Sequence, residues 1–306
     1  TEKNTIGAIN NLSSAEKFKI DKKKYGPDWF TAERTVFKQK VLSASSTEFE
    51  LADKILQAGD GDIIELTDTV YTINESLKIN KKIIIRSKDP QNKAQLVFAG
   101  TQDSLAFEMN PKGNLKLENL VLKGGNGKFA FLPLKDNMYS NYNLFVENCV
   151  IDGFDYVLKA TKGSFADSIN VKNTIIKNCK NGIELAADLK GDYNAEMVTF
   201  DHCQFVKVQS NVINFFRDGY DESTIGGYLN ITNSTFRTCG KAEKNGILIQ
   251  TKGIINVKLN NNTFKNNPIK LVALLWGEKN NHHKNNTIIN SGFIKVEDQQ
   301  KLDILY

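Results

Sequence analysis

Asn119-Leu120-Val121-Leu122, Asn148-Cys149-Val150-Ile151, Asn173-Thr174-Ile175-Ile176, Asn233-Ser234-Thr235-Phe236, Asn261-Asn262-Thr263-Phe264 and Asn285-Asn286-Thr287-Ile288 are versions of one four-residue phrase. Asn leads it, and Leu, Ile or Phe closes it. His202-Cys203-Gln204-Phe205 fills the gap in the series. Successive copies stand 24 to 31 residues apart, a period that signals a solenoid. A β-propeller would need longer, four-stranded units. Each interval holds about three short apolar-polar alternations. Between Gly182 and Ser210 these are Ile183-Glu184-Leu185, Glu196-Met197-Val198-Thr199-Phe200 and Gln204-Phe205-Val206-Lys207-Val208. Short length and period two argue strand, not helix. The predicted fold is all-β: a right-handed parallel β-helix with three strands per coil. Coils then stack about 4.8 Å apart, like strands in any sheet. The repeated Asn should stack at one corner, bond one another and take positive φ cheaply.

Working outward, the first strands are Ile63-Ile64-Glu65-Leu66, Tyr71-Thr72-Ile73, Leu77-Lys78-Ile79 and Ile83-Ile84-Ile85-Arg86. The three sheets are expected to run the length of residues 77–295. A solenoid exposes apolar surface at its first coil and needs a cap. The expected cap is a short helix. Ser46 or Thr47 would cap it, Glu48 and Glu50 would lie in its first turn, and Phe49, Leu51, Ile55 and Leu56 would form its apolar stripe. Gly59 and Gly61 would stop it. Residues 1–45 read as a polar lead-in with a docking segment at Tyr25-Gly26-Pro27-Asp28-Trp29-Phe30, and residues 46–306 as the β-helix domain.

The 306 residues are 40% apolar and 25% charged, with net charge +5. This is a globular composition. Its 40 basic residues are spread along the chain beside 35 acidic ones, whereas a nucleic-acid binder clusters its cations on one element. No run approaches the roughly 18 apolar residues that span a bilayer. No Met, basic segment or apolar leader opens the chain, so a trimmed or excised piece is expected. Cys149 and Cys203 share one phase of the repeat, and Cys179 and Cys239 another. Same-phase Cys lie two coils apart, roughly 9–10 Å, too far for a disulfide. All four read as reduced, buried core groups, and their spacing offers no zinc site. The Asn ladder also accounts for sequons such as Asn233-Ser234-Thr235 without a glycan. His282-His283 reads as a solvated polar loop, with a metal or sugar contact as the other reading. Trp276 could stack on a sugar or cover the C-terminal end of the coil.

Insertions in a solenoid collect on its binding face. The two widest loops are 186–196 and 216–227. Both mix cations, carboxylates and a Tyr: Lys190, Tyr193 and Glu196 in one, Arg217, Asp221 and Glu222 in the other. A uronate-binding surface needs a cation for the sugar carboxylate, acceptors for hydroxyls and a ring for stacking. These six residues are the substrate-binding candidates, Arg217 foremost because it ends the strand Val212-Ile213-Asn214-Phe215-Phe216. Asp218 follows it directly, and Tyr193 and Glu196 could lie alongside. On the competing view, its own acidic neighbours use Arg217 fully.

The stretch from Ala52 through Asp60-Gly61-Asp62-Ile63-Ile64-Glu65-Leu66 and Tyr71-Thr72-Ile73 resembles the opening of many secreted β-helix lyases. Lys162-Gly163-Ser164-Phe165-Ala166-Asp167, Tyr193-Asn194-Ala195-Glu196 and Arg217-Asp218-Gly219-Tyr220-Asp221-Glu222-Ser223-Thr224 look like polysaccharide lyase family six, the chondroitinase B and alginate lyase family. More narrowly, they look like the C-terminal β-helix of its two-domain alginate lyases. Tyr25-Gly26-Pro27-Asp28-Trp29 is similar to the junction before that domain. The resemblance covers roughly residues 25–306. It implies β-elimination of an acidic, alginate-like polysaccharide, a secreted or periplasmic location and an N-terminal catalytic β-helix as partner. It also implies Ca²⁺ in the full enzyme, held by Asn and Glu oxygens, with a Lys base and an Arg beside the leaving oxygen. The family's Glu-x-Glu before that Lys is not found here. Glu243-Lys244 lacks the paired Glu, and Ile247-Leu248-Ile249-Gln250-Thr251-Lys252 lacks both. No catalytic residue or metal ligand is therefore assigned. The expected role is a β-helix domain that supports or lines the cleft of a lyase. The alternatives are a non-catalytic carbohydrate-binding solenoid and an independent lyase using Arg217.

Overall fold

The computed structural model describes residues 39–47, 49–134, 141–187, 193–217, 227–242, 246–253, 255–276 and 281–297. They lie in the compact unit Lys40–Tyr306, with Gln39 the last residue of the other unit. Three parallel sheets form a β-solenoid. Sheet 1 has ten strands, from Val41–Ala44 and Asp62–Leu66 to Asn281–Lys284. Sheet 2 has nine, from Val70–Ile73 to Thr287–Ile289, and sheet 3 has nine, from Leu77–Ile79 to Phe293–Glu297. Beyond Val41–Ala44, neighbours within each sheet are three strands apart in the chain, which is three strands per coil. The coil thus begins at Asp62, where the sequence turns to short strands, and so ahead of the span 77–295 expected for the three sheets together. The strand Val41–Ala44 lies inside the stretch read as lead-in and pairs with Ile63–Leu66. The docking segment 25–30 falls outside the described residues.

Each strand sends alternate residues inward, and parallel register stacks like on like. Leu115, Leu144, Ile169, Val198, Leu229 and Val257 form one buried column of sheet 1. In sheet 2 the closing residue of each phrase points inward. Phe205, Phe236 and Phe264 stack with centroids 4.6 and 4.7 Å apart. That distance is the strand spacing itself, so the coil rise imposes the ring stack. Full burial of such a side chain contributes about 1.5–3 kcal/mol.

The Asn phrase turns the corner from sheet 1 to sheet 2. Asn119, Asn148, Asn173, His202, Asn233, Asn261 and Asn285 all have φ between 48 and 57°. Asn148 Nδ2 donates to Asn119 Oδ1, and Asn261 Nδ2 donates to Asn233 Oδ1 over 3.4 Å. At the His202 gap, Asn233 Nδ2 donates to Asp201 Oδ1 instead (2.9 Å). A second left-handed corner, from sheet 2 to sheet 3, was not read from the sequence. It holds Gly153, Asn178, Lys207, Thr238, Asn266 and Asn290. Residue type varies more there, so only the geometry shows the repeat.

The residue after each left-handed one points inward. Cys149, Thr174, Cys203, Ser234 and Asn262 occupy this place at the first corner, and Cys179, Cys239 and Asn267 at the second. Backbone N–H groups of one coil donate to these side chains in the next, as from Cys203 to Ser234 Oγ (3.1 Å) and from Ser234 to Asn262 Oδ1 (2.9 Å). All four Cys are free and buried. Burial pushes their thiols up, to about 12 for Cys203 and about 11 for the other three.

One helix, α1 (Glu50–Gln57), covers the first coil with Leu51 and Ile55 buried. Two expectations are corrected here. The N-cap is Phe49, in left-handed geometry (φ 65°) and without a side-chain cap. Ser45 Oγ instead donates to the Glu50 carboxylate, which holds that group below its ordinary range. Phe49 and Leu56 are 53% and 70% exposed, so the stripe narrows to Leu51 and Ile55. A helix this short turns through too few residues to bury four of them against one coil end. Glu48 lies outside the described residues. Lys81 Nζ closes the other end, donating to Leu56 and Ala58 carbonyls at 3.1 and 3.0 Å, where the helix dipole favours a cation. His282-His283 is also corrected. It lies in the last strand of sheet 1, paired with Lys258 and Leu259, because the ladder sets backbone geometry whatever side chain is carried. Among the described residues, no helix is long and apolar enough to cross a membrane.

Candidate functional site

The wide corner from sheet 3 back to sheet 1 carries the candidate residues. The strand Ile213–Phe216 buries Ile213 and Phe215 in the core. Arg217 follows, still laddered: its N–H donates to Lys252 O (2.8 Å). The next coil passes so close here that a Cβ on Gly253 (φ +89°) would lie 1.7 Å from Arg217 O. Only glycine fits such a combination of φ and approach.

The Arg217 side chain turns to the start of the strand Ala195–Asp201. Nη1 donates to Ala195 O and to Glu196 Oε2, both at 2.9 Å. The guanidinium carbon stands 4.9 Å from the centre of the Tyr193 ring. The Arg217 side chain is 4% exposed, and that of Glu196 35%. A Cβ on Gly227 would come within 2.9 Å of Nη1, so this glycine leaves the room that the guanidinium fills.

Asn194, absent from the six candidates, holds the corner from the other side. It is buried, with φ 59°. Its Oδ1 accepts from Ala187 N–H (3.3 Å), and its Nδ2 donates to Phe216 O (2.8 Å). It thus joins both wide loops one residue from Tyr193. An Asn inside an insertion, out of phase with the ladder, was the available signal.

The structure thus brings Arg217, Tyr193 and Glu196 together. Lys190, Asp221 and Glu222 lie outside the described residues, as do Asp218, the side chain of Trp276 and the Glu243-Lys244 pair. Buried charge-assisted bonds fix the Arg217 fork, and Arg217 is the hub that orders its neighbours. Tyr193 is 39% exposed. It and the accessible part of Glu196 are the groups that can meet a ligand: a ring to stack on a sugar face and a carboxylate to accept from hydroxyls.

The outer face of sheet 3 continues from this corner. Lys159, Glu184 and Asn214 are neighbours across successive strands. Asn214 Nδ2 donates to Glu184 Oε2 (2.9 Å), and Lys159 Nζ stands 4.8 Å from the Tyr156 ring centre. Burial raises the Glu184 carboxyl; the Asn214 bond and Lys159 partly offset this.

Calcium takes six to eight oxygen ligands. Among the described residues, no three of His, Cys, Asp and Glu converge, and Glu196 is bonded to a buried guanidinium. The residues seen here do not fit a calcium site.

No known protein family matches the sequence, and neither does any curated protein. The fold is similar to that of solved alginate lyases. Against a variant of the PL6 family alginate lyase AlyGC the TM-score is 0.71 at 22% identity, over 85% of this chain and 38% of that one. Against AlyGC itself the TM-score is 0.61 at 20% identity, over the same shares of the two chains. The likeness is one of fold, and this chain spans 38% of the length of those enzymes.

Proposed function

We propose that this chain is a β-helix domain of an alginate-lyase-like polysaccharide lyase, one that supports or lines the cleft where a partner domain cleaves an acidic polyuronate. The observation that carries this reading is the fold match to AlyGC, which takes in 85% of this chain but 38% of that enzyme. The family's Glu-x-Glu-Lys pattern, not found in the sequence, points the same way: the proton-abstracting groups belong to another domain. On this reading Tyr193 and Glu196 face the glycan, Arg217 and Asn194 position them, and Lys190, Asp221 and Glu222 extend the same edge. Any calcium is held by the partner domain. The protein works in the periplasm or outside the cell, where such polymers are met.

The test follows the unsaturated sugar end that β-elimination creates, by its ultraviolet absorbance, with alginate as substrate. This chain alone should produce none. The chain assembled with its N-terminal catalytic β-helix domain should turn over, and Tyr193→Ala in that assembly should cut kcat/KM about ten-fold, roughly 1.4 kcal/mol, at unchanged melting temperature. Turnover by this chain alone would overturn the reading in favour of an independent lyase. An assembly indifferent to Tyr193→Ala would remove this corner from the cleft.

A further inference from the structure

The outer face of sheet 2 differs in charge from the other two. Along sheet 1 the outward row Glu65, Arg86, Glu118, Glu147, Lys172 and Asp201 mixes signs. Within it Arg86 pairs with Glu65 at 2.6 Å, and Lys116 of the neighbouring outward row pairs with Glu118 and Glu147 at 2.5 and 3.3 Å. Sheet 3 mixes signs likewise, with Lys78, Glu108, Leu132, Lys159 and Glu184 in one row. From the strand Leu120–Lys123 to the strand Thr263–Lys265 of sheet 2, the residue that ends each strand points outward. These are Lys123, Asp152, Lys177, Val206, Arg237 and Lys265, in register on successive coils. Where Val206 interrupts the row, Lys207 follows it on the corner. Five cations thus meet one carboxylate, Asp152, which Lys177 pairs at 3.4 Å. Lys123, Lys207, Arg237 and Lys265 are all exposed. Among the described residues, the corner beyond adds Lys180, Lys241 and Lys270 against Asp155.

The geometry of this face is regular. Lys123 and Lys265 are five strand spacings apart, so the row spans about 24 Å at about 4.8 Å per strand. Beside it runs a flat neutral row of Val121, Val150, Ile175, Gln204, Thr235 and Thr263. The amides of Asn148, Asn173, Asn233 and Asn261 border the band on one side, and those of Asn178 and Asn266 on the other. A straight row of cations with donors and acceptors along both edges fits a linear polymer that carries repeated carboxylates and many hydroxyls.

We propose that the outer face of sheet 2 is a second binding surface, which holds an acidic polysaccharide chain lengthwise through Lys123, Lys177, Lys207, Arg237 and Lys265. This deepens the reading of the chain as a polyuronate-handling domain and rests on it for the polymer class. It assigns a surface away from the Arg217 corner, where the chain would retain polymer without taking part in cleavage. Nucleic acid is the other linear polyanion. The flat row carries no exposed aromatic ring for base stacking, which single-strand binders use, and the bordering amides suit hydroxyls.

The experiment uses the full chain in native gels cast with alginate, with neutral dextran as control, and duplex DNA in a separate mobility assay. Alginate should retard the chain and dextran should not. Arg237→Glu/Lys265→Glu should weaken retardation at least about ten-fold and reduce the salt dependence of log affinity by about two. Both side chains are exposed, and an unchanged thermal melt confirms folding. Lys123→Gln/Lys207→Gln, which removes charge without reversing it, should show a smaller loss of the same kind. Retardation of both variants equal to wild type would overturn the proposal, as would DNA bound as tightly as alginate. If the face variants bind normally while Tyr193→Ala still lowers turnover of the assembly, this surface falls and the cleft reading stands. If alginate neither retards the chain nor is turned over by the assembly, both fall.

Discussion

The corner from sheet 1 to sheet 2 and the corner from sheet 3 to sheet 1 are built under different constraints. At the first, from Glu147 onward, two residues separate each pair of strands, and the leading one repeats its φ within ten degrees. At the third, the connection varies from two residues, between Ile79 and Lys82, to ten, between Phe216 and Gly227. A tight turn dictates residue type through backbone sterics, so Asn recurs. A wide turn places no such demand, and its residues are chosen by what they touch. Arg217 belongs to this second kind, held by what its guanidinium touches.

The largest effect should come from the column that both corners serve. Phe236 is sandwiched between Phe205 and Phe264, so Phe236→Ala should cost about 3–5 kcal/mol in urea unfolding. A loss under 1 kcal/mol would mean that the corners, not the stack, hold the coils in register.

Next comes the wide corner. Arg217→Ala leaves the Ala195 carbonyl and Glu196 without their partner, at about 1–3 kcal/mol, read as a lower melting temperature. An unchanged melt would separate Arg217 from the packing and return it to the ligand-contacting list.

The tight corner should respond through its backbone. Asn261→Ala places a Cβ-bearing residue without a local hydrogen bond at φ 57° and should cost about 1–2 kcal/mol. Asn261→Gly should cost clearly less, because glycine adopts positive φ freely. If the two variants are equally destabilised, the amide ladder rather than the turn explains why Asn is there.

Smaller still is Cys203→Ser. Ser234 fills the same place in the next coil and donates to Thr232 O (2.8 Å), as the Cys203 thiol donates to Asp201 O (3.5 Å). The cost should stay under about 1 kcal/mol. Thiol titration of the unfolded, non-reduced protein should count four free Cys; a count of two would show a disulfide and break the equivalence.

The smallest change is Glu184→Gln. Burial raises the Glu184 carboxyl in the folded state, so its ionised form opposes folding at neutral pH. The variant should melt slightly higher there. The gap should close as pH falls through the raised value to the ordinary carboxylate range, below which wild type is protonated both folded and unfolded. A gap that widens on acidification would reverse the sign and refute the burial account.

How much was legible follows from the same contrast. The strand Leu77–Ile79 was read to the residue, and Ile63–Leu66 and Tyr71–Ile73 to within one. The Asn corner was read with its positive φ. The second left-handed corner was missed because Gly, Asn, Lys and Thr share a geometry there but not a letter. The helix cap was misplaced because Ser45 bonds the Glu50 side chain and leaves Phe49 at the turn. At the wide corner the sequence could nominate Arg217, Tyr193 and Glu196 as suitable types. It could not tell that the guanidinium is buried, or that Asn194 ties the two loops together.

By itself, the sequence determined the period, the parallel stacking and the inward column, because in a solenoid each coil meets only its neighbours and local pattern becomes global structure. The tertiary structure alone decided which side chains converge where loop length is free, and that the residues ending the strands of sheet 2 form one basic row. Those residues are 25 to 31 positions apart along the chain, and only the register of the coils makes them neighbours.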